Sequence, residues 1–252
     1  MLDNYMKRLI SKVVIIFSFF TLCSAATAAE QEDVNLAKEI ILLEANSYRV
    51  VTEFNVYGIQ KDKKSEQRLF DVLAIGDELS ALFIEQSSEL DVSWSKYRSF
   101  AWTKHKRADG DTYVFNDMRI LHKELLTAIE SVKKQVNSDL LPAKDLYKVN
   151  SVLLIEQLAS EYLELSAATF GTFGFAGSEQ AIKIEVRSKD FERTIEELKK
   201  QYTDDAAKTR SINKIALRWK FIKTTLLAYN ERSAPFAVAR TVGYIRKQLA
   251  AI

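Results

Sequence analysis

The sequence predicts an all-α protein, an elongated antiparallel helical bundle built from two similar repeats of long helix, long helix, shorter helix. Glycine and proline number only 7 and 2 in 252 residues, so few positions oppose a helix. Apolar residues recur at three- and four-residue steps nearly everywhere, and the alternation that marks strands is absent. A stripe opening at Val34-Asn35 also returns about 115 residues later at Val149-Asn150. The two copies read VNLAKEIILLEANSYRVVTEFNVYG and VNSVLLIEQLASEYLELSAATFGTFG. A repeat of that length, helical in both halves, points to duplicated helix pairs rather than a catalytic α/β domain.

The elements follow in order. Leu36, Ile40, Leu43, Ser47, Val50, Phe54 and Tyr57 trace one heptad seam and predict a helix over 32–59. Shifted by 115, the seam passes through Ser151, Ile155, Leu158, Tyr162, Leu165 and Thr169, weaker but in the same register. The run Lys-Asp-Lys-Lys-Ser at 61–65 ends the first helix. A second stripe runs from Leu69, Leu73, Leu79, Phe83 and Leu90 to Trp94, Tyr97 and Trp102. Its counterpart begins near Phe191, Ile195, Leu198 and Tyr202 and resumes through Ile212, Ile215, Trp219, Ile222, Leu226 and Tyr229. Asp109-Gly110-Asp111 marks a turn, after which Met118, Leu121, Leu125, Ile129, Val132 and Val136 predict a third helix ending before Leu141-Pro142. Ser233-Ala234-Pro235 opens the equivalent last helix, with Ser233 as its expected N-cap and Ala239, Val242 and Leu249 facing inward. Trp94 and Trp219 are expected to fill matching core layers.

The first thirty residues predict export. Lys7, Arg8 and Lys12 form a basic start, Val13 to Leu22 is a short apolar run, and Ala26-Thr27-Ala28 supplies the small residues of a cleavage site. Met6-Lys7-Arg8 is a more natural opening for such a leader than Met1-Leu2-Asp3. The expected division is therefore a signal peptide over 1–28 and helical repeats over 29–140 and 141–252, in a periplasmic or secreted protein. Cleavage would remove Cys23, the sole cysteine, so the remaining chain depends on its core rather than on a disulfide. It would also take three basic residues and one acidic residue from totals of 36 Lys+Arg and 34 Asp+Glu, leaving parity. A balanced surface draws in neither nucleic acid nor acidic membrane. No later segment is apolar for long enough to span a bilayer.

The segment VNLAKEIILL, followed by an aromatic-ended helix, an acidic second helix and a Trp-bearing helix, resembles a known family. It is similar to the N-terminal PilJ-like domain of type IV pili methyl-accepting chemotaxis transducers, related to the nitrate-sensor helical bundle. The likeness spans most of 32–138 and again 147–250. The family's first helix reads close to INLAGRQRMLSQR, and Val34, Asn35, Leu36, Ala37 and Leu43 agree with it. In the nitrate-sensor relatives, arginine on this helix coordinates the anion. Glu39, Ile41 and Asn46 stand in those places in the first copy, and Leu154, Glu156 and Glu161 in the second. Glutamates there would repel an anion, and a buried anion needs guanidinium or ammonium donors to replace its water. The expectation is therefore that nitrate is not bound: loss of the ancestral ligand is favoured, and if a solute is still bound, a cationic or neutral one fits better than nitrate. Arg49, Asn46 and Glu161 are the ligand-binding candidates. Arg49 is expected as a solvated charge on a helix face, with a remnant anion donor as the alternative.

Other chemistry is sparsely represented. His105 and His122 lie on either side of the Asp109 turn without zinc-site spacing, and surface positions are expected for both. No GxSxG, P-loop or strand-anchored GxGxxG occurs. Acid pairs such as Asp204-Asp205 and Glu196-Glu197 belong to solvated helix faces. Residues 171–177, GTFGFAG, read as a helix end whose phenylalanines cap the core, with an inserting tip as the alternative. The sequence implies no catalytic residue, metal or cofactor. It predicts a sensory or binding module acting through an envelope or membrane-bound protein partner, with a small solute as ligand. The alternative is a structural or adaptor bundle, and a homodimer is left open.

Overall fold

The computed structural model describes residues 33–106, 113–136, 141–170, 177–229 and 234–252. The leader with Cys23, the Asp109-Gly110-Asp111 turn, residues 171–176 and Ser233 lie outside the described residues.

Eight helices and no strand occur among the described residues. They are α1 (33–60), α2 (Lys63–Ala81), α3 (Ser88–Lys104), α4 (Tyr113–Gln135), α5 (Ala143–Phe170), α6 (Gly177–Gln201), α7 (Ala206–Leu227) and α8 (Pro235–Ala250). Helix α1 stops where expected. Lys61 adopts a left-handed conformation with φ 49°, and its amide donates to the Tyr57 carbonyl at 2.7 Å, closing the last turn. Asp62 then caps α2 by accepting from the Ser65 amide at 2.7 Å. At α8 the N-cap is Ala234, which offers no side-chain cap. Its amide instead donates to the Tyr162 hydroxyl at 2.8 Å, and Pro235 occupies the first turn, where a missing N–H costs nothing.

The second long helix expected of each repeat is in fact two helices. Ser87 caps α3 by accepting from the Leu90 amide at 3.1 Å, and Asp205 caps α7 by accepting from the Ala207 and Lys208 amides at 3.0 Å. Both caps start a new helix without interrupting the apolar stripe, because the helices on either side bury the same core. Phe83, in the turn between α2 and α3, is fully buried. Periodicity alone therefore reads straight through each break.

Two apolar cores result. The first gathers α1 to α4 around Phe54, Tyr97, Leu125 and Ile129, and it includes Leu141, just before α5, and Val149 from the first part of α5. The second gathers α5 to α8 around Tyr162, Phe191, Trp219 and Ile245, and it includes Val56 from the end of α1. Helices α1 and α5 thus each belong to both cores. Helix α1 is tied to its neighbours by Asn46, which donates to the Val72 carbonyl on α2 at 3.0 Å, by Tyr97 on α3, which donates to the Ser47 carbonyl at 2.7 Å, and by Lys133 on α4, which pairs with Glu44 at 2.9 Å. Helix α5 packs against α6 and α8, and α7 against α6 and α8. Trp94 and Trp219 are both buried, at 3% exposure each.

Candidate functional site

Helix α8 gives its buried apolar side chains to the second core, whereas α1 gives most of its own to the first. A cleft of about 770 Å³ opens between α1 and α2 on one side and α8 on the other. Its cations are Arg49, Lys64, Arg68, Arg240, Arg246 and Lys247, against the carboxylates of Glu53 and Asp62. Both acids are engaged. Glu53 accepts from Arg68 Nε at 3.0 Å, and Asp62 caps α2. A second, smaller space of about 360 Å³ lies between α1, α2, α5 and α8, walled by Leu42, Ile75, Leu79 and Val152 and flanked by Lys38 and Lys148. Arg49 and Arg246 line both spaces, so cleft and slot meet at these two guanidinium groups.

Arg49 is not the solvated charge that the sequence suggested. It is half-buried, and its Nε is enclosed without a hydrogen-bond partner. Burial first, and the like charge of Arg246 second, push its pKa down from its high ordinary value, although arginine remains charged at physiological pH. Arg246 is anchored by an ion pair with Glu156, which is 1% exposed. At the slot's other flank, burial followed by the nearby charge of Lys38 lowers the Lys148 pKa. Tyr244, at the cleft, lies beside Arg218 and Arg240. Arg218 stands 4.5 Å from its ring centre, and the hydrogen bond from Arg240 lowers the phenol's pKa.

Of the three candidates named from sequence, the structure brings Arg49 and Asn46 together at the slot. Glu161 is elsewhere, paired with Arg187 of α6. The glutamates expected to repel an anion are neutralised, Glu156 by Arg246 and Glu161 by Arg187. The cleft therefore carries a surplus of positive charge, six basic side chains against two carboxylates. Arg246, Arg68, Arg240 and Lys148 were missed because long basic side chains carry no periodic signal. Glu156, on an apolar stretch of α5, was the available clue, since a buried carboxylate requires a cation from another helix.

Both histidines are buried, at 6% for His105 and 5% for His122, contrary to the surface positions expected. His122 stacks on Tyr97 with ring centres 5.5 Å apart, and its Nε2 lies 2.9 Å from Ser47 Oγ. This is not an activated serine. The Ser47 hydroxyl donates to the Glu44 carbonyl at 2.7 Å, which leaves its oxygen to accept from an Nε2–H tautomer of His122. Burial holds the His122 pKa down at about 3, so the ring is neutral. His105 is fixed between Glu66, at 3.1 Å from its Nε2, and the Trp102 carbonyl. Among the described residues no group of three or more metal-ligating side chains converges, and no helix is long and apolar enough to cross a membrane.

The chain matches no protein-family model, no curated protein and no solved structure.

Proposed function

We propose that the protein is a non-catalytic, periplasmic sensory or binding module that takes a small solute in the cleft between α1, α2 and α8 and acts through a partner protein. The cleft carries this reading. It is lined mainly by charged side chains, it is large enough for a small organic molecule, and its walls come from α1 and α2, most of whose buried apolar residues lie in the first core, and from α8, whose buried apolar residues lie in the second. A solute touching both walls gains differential affinity for one spacing of the halves, which is the requirement for ligand-driven change. The likeness of VNLAKEIILL to the PilJ-like domain supports a sensory role, and the basic, apolar and small-residue order of 1–28 supports export. Two similar repeats are supported by the seam shared at a spacing of 115 residues and by the helix order, in which α1 to α4 and α5 to α8 each open on the longest helix of their half.

The adaptor reading has one observation in its favour. Leu217 and Phe221, one turn apart on α7, are 70% and 69% exposed. A cleft-filling variant separates the two readings. A Cβ built at Gly243 on α8 would meet only the tip of Arg246, at 3.7 Å, so Gly243→Leu has room for its first carbon and carries the rest of its side chain toward the cleft, and its melting temperature reports whether the fold is kept. Small molecules extracted from natively purified protein are to be compared by mass spectrometry between wild type and this variant. A solute retained by wild type and lost from Gly243→Leu supports the binding module. Equal contents, together with partner capture that depends on Leu217 and Phe221, would replace it with the adaptor.

A further inference from the structure

We infer that the ligand is an amphipathic organic anion, its anionic head held between Arg49 and Arg246 and its apolar body laid in the slot formed by Leu42, Ile75, Leu79 and Val152. The inference rests on the binding-module reading and adds the chemical class.

The head is assigned by the guanidinium pair. Two like charges close enough to perturb each other are held half-buried where cleft and slot meet. Arg246 spends part of its donor fork on Glu156, while Arg49 has an enclosed Nε without a partner. Buried donors are normally satisfied, and the Arg49 charge, though attracted by Glu156 and Glu53, is opposed more strongly by burial and by Arg246. A carboxylate or phosphate at this point removes both penalties, accepting from Arg49 and screening it from Arg246. A cationic head would add a third like charge.

The body is assigned by the slot. Four aliphatic side chains from three helices wall it, and Lys38 and Lys148 stand at its flank, where Lys148 is partly desolvated. At about 30 Å³ of liquid volume per water-sized group, a space of 360 Å³ accommodates about a dozen heavy atoms. A ten-carbon alkanoate has that size. The larger cleft, with Arg68, Arg240 and Lys247 on its walls, supplies a positive field that steers an anion toward the junction.

The test is calorimetric titration of the full chain with monomeric decanoate, decyltrimethylammonium and inorganic phosphate, alongside sedimentation with phosphatidylglycerol vesicles. Decanoate is expected to bind saturably, at least about tenfold tighter than either small control. Arg49→Met should weaken it by about ten- to a hundredfold, the range for loss of hydrogen bonds to a charged group. Arg49→Met removes a guanidinium that burial and Arg246 oppose more strongly than Glu156 and Glu53 support it, and its melting temperature reports independently whether it folds. Equal affinity for the ammonium, or no effect of Arg49→Met, overturns the anionic head. Phosphate binding as tightly as decanoate overturns the apolar body. Vesicle binding without decanoate binding overturns a free solute in favour of a lipid surface. A neutral solute displaced by Gly243→Leu would sink this inference and leave the binding module standing, whereas no bound solute of any charge would sink both.

Discussion

Asp77 on α2 and Glu192 on α6 stand 115 residues apart and serve the same purpose. The Trp94 indole N–H donates to Asp77 at 2.9 Å, and the Trp219 indole N–H donates to Glu192 at 3.2 Å. One turn beyond each tryptophan, Arg98 and Lys223 close on the same carboxylates at 2.8 and 2.6 Å. The separation from acid to tryptophan nevertheless differs, 17 residues in the first half and 27 in the second. The added chain lengthens α6 after its acid and α7 before its tryptophan by similar amounts. An antiparallel pair extended on both arms returns the ring to the level of the carboxylate, which is why a fixed spacing aligns α1 and α2 with α5 and α6 but not Trp94 with Trp219.

Trp219→Ala is expected to destabilise the protein by ~3–5 kcal/mol, the range for truncating a large buried aromatic. Its ring packs edge-on against Phe191 at 4.9 Å. Urea denaturation measures the loss. A change within ~0.5 kcal/mol would show that the ring contributes no core packing.

Gly76 faces Trp94 so closely that an added methyl group would overlap the six-membered ring and come within 2.8 Å of Asn46 Nδ2. Gly76→Ala should therefore cost about 1–3 kcal/mol through overpacking, although alanine is the better helix former by about 1 kcal/mol. Denaturation followed by tryptophan fluorescence gives both the energy and the ring's environment. A stabilised variant would mean that the ring moves aside freely.

Much of the fold was legible because burial follows heptad geometry. All seam positions of α1 from Ile40 to Tyr57 are buried. The breaks at Ser87 and Asp205 were not read, since a capping side chain changes the direction of the chain without changing its apolar period. The histidines were misplaced for a related reason. His122 is on the buried face of α4 between Met118 and Leu125, where one polar atom is satisfied by Ser47. The site was half legible. Arg49 and Asn46 could be named from one helix, but their partners Arg246 and Lys148 come from α8 and α5, and no spacing along the chain encodes that meeting.

Residues 1–28 should be missing from the natively expressed protein, because the apolar run has signal length and ends in Ala26-Thr27-Ala28. Intact mass decides this. A mass that retains Cys23 would overturn both export by cleavage and the absence of a thiol.

His122 gives a pH dependence of known sign. Its folded pKa is depressed to about 3 from an ordinary 6.5, so between these values the unfolded chain takes up a proton that the folded chain refuses. The stability this site supports is complete above pH 6.5 and declines as pH falls toward 3, by about 1.4 kcal/mol per unit at most. Glu164, partly buried on α5, opposes this. Burial raises its carboxyl to about 7, so its folded form gains relative stability as pH falls from 7 toward 4.5. The two effects offset each other between 4.5 and 6.5; below 4.5 His122 is joined by Asp62, Glu66, Glu185, Glu192 and Asp205, whose carboxyls are held below their ordinary values by hydrogen bonds and which also cost stability as they protonate. His122→Gln should flatten the acid limb of a stability profile measured by urea titration. An unchanged slope below pH 4.5 would show that the ring titrates in the folded protein.

The two arginines at the junction should respond oppositely to the same substitution. Arg246→Met leaves Glu156, 1% exposed, without its ion-pair partner, and breaking a buried pair by removing one member costs ~3–5 kcal/mol. Arg49→Met removes a half-buried charge whose Nε has no partner and whose nearest like charge is Arg246. In ligand-free protein it should be neutral or stabilising by up to about 2 kcal/mol. A charge kept at such a cost to stability is what a binding site retains and a purely structural bundle loses. Urea denaturation of both variants, after dialysis, measures the contrast. If Arg49→Met costs more than ~1 kcal/mol, Arg49 supports the fold through Glu156 and Glu53 rather than waiting for a ligand.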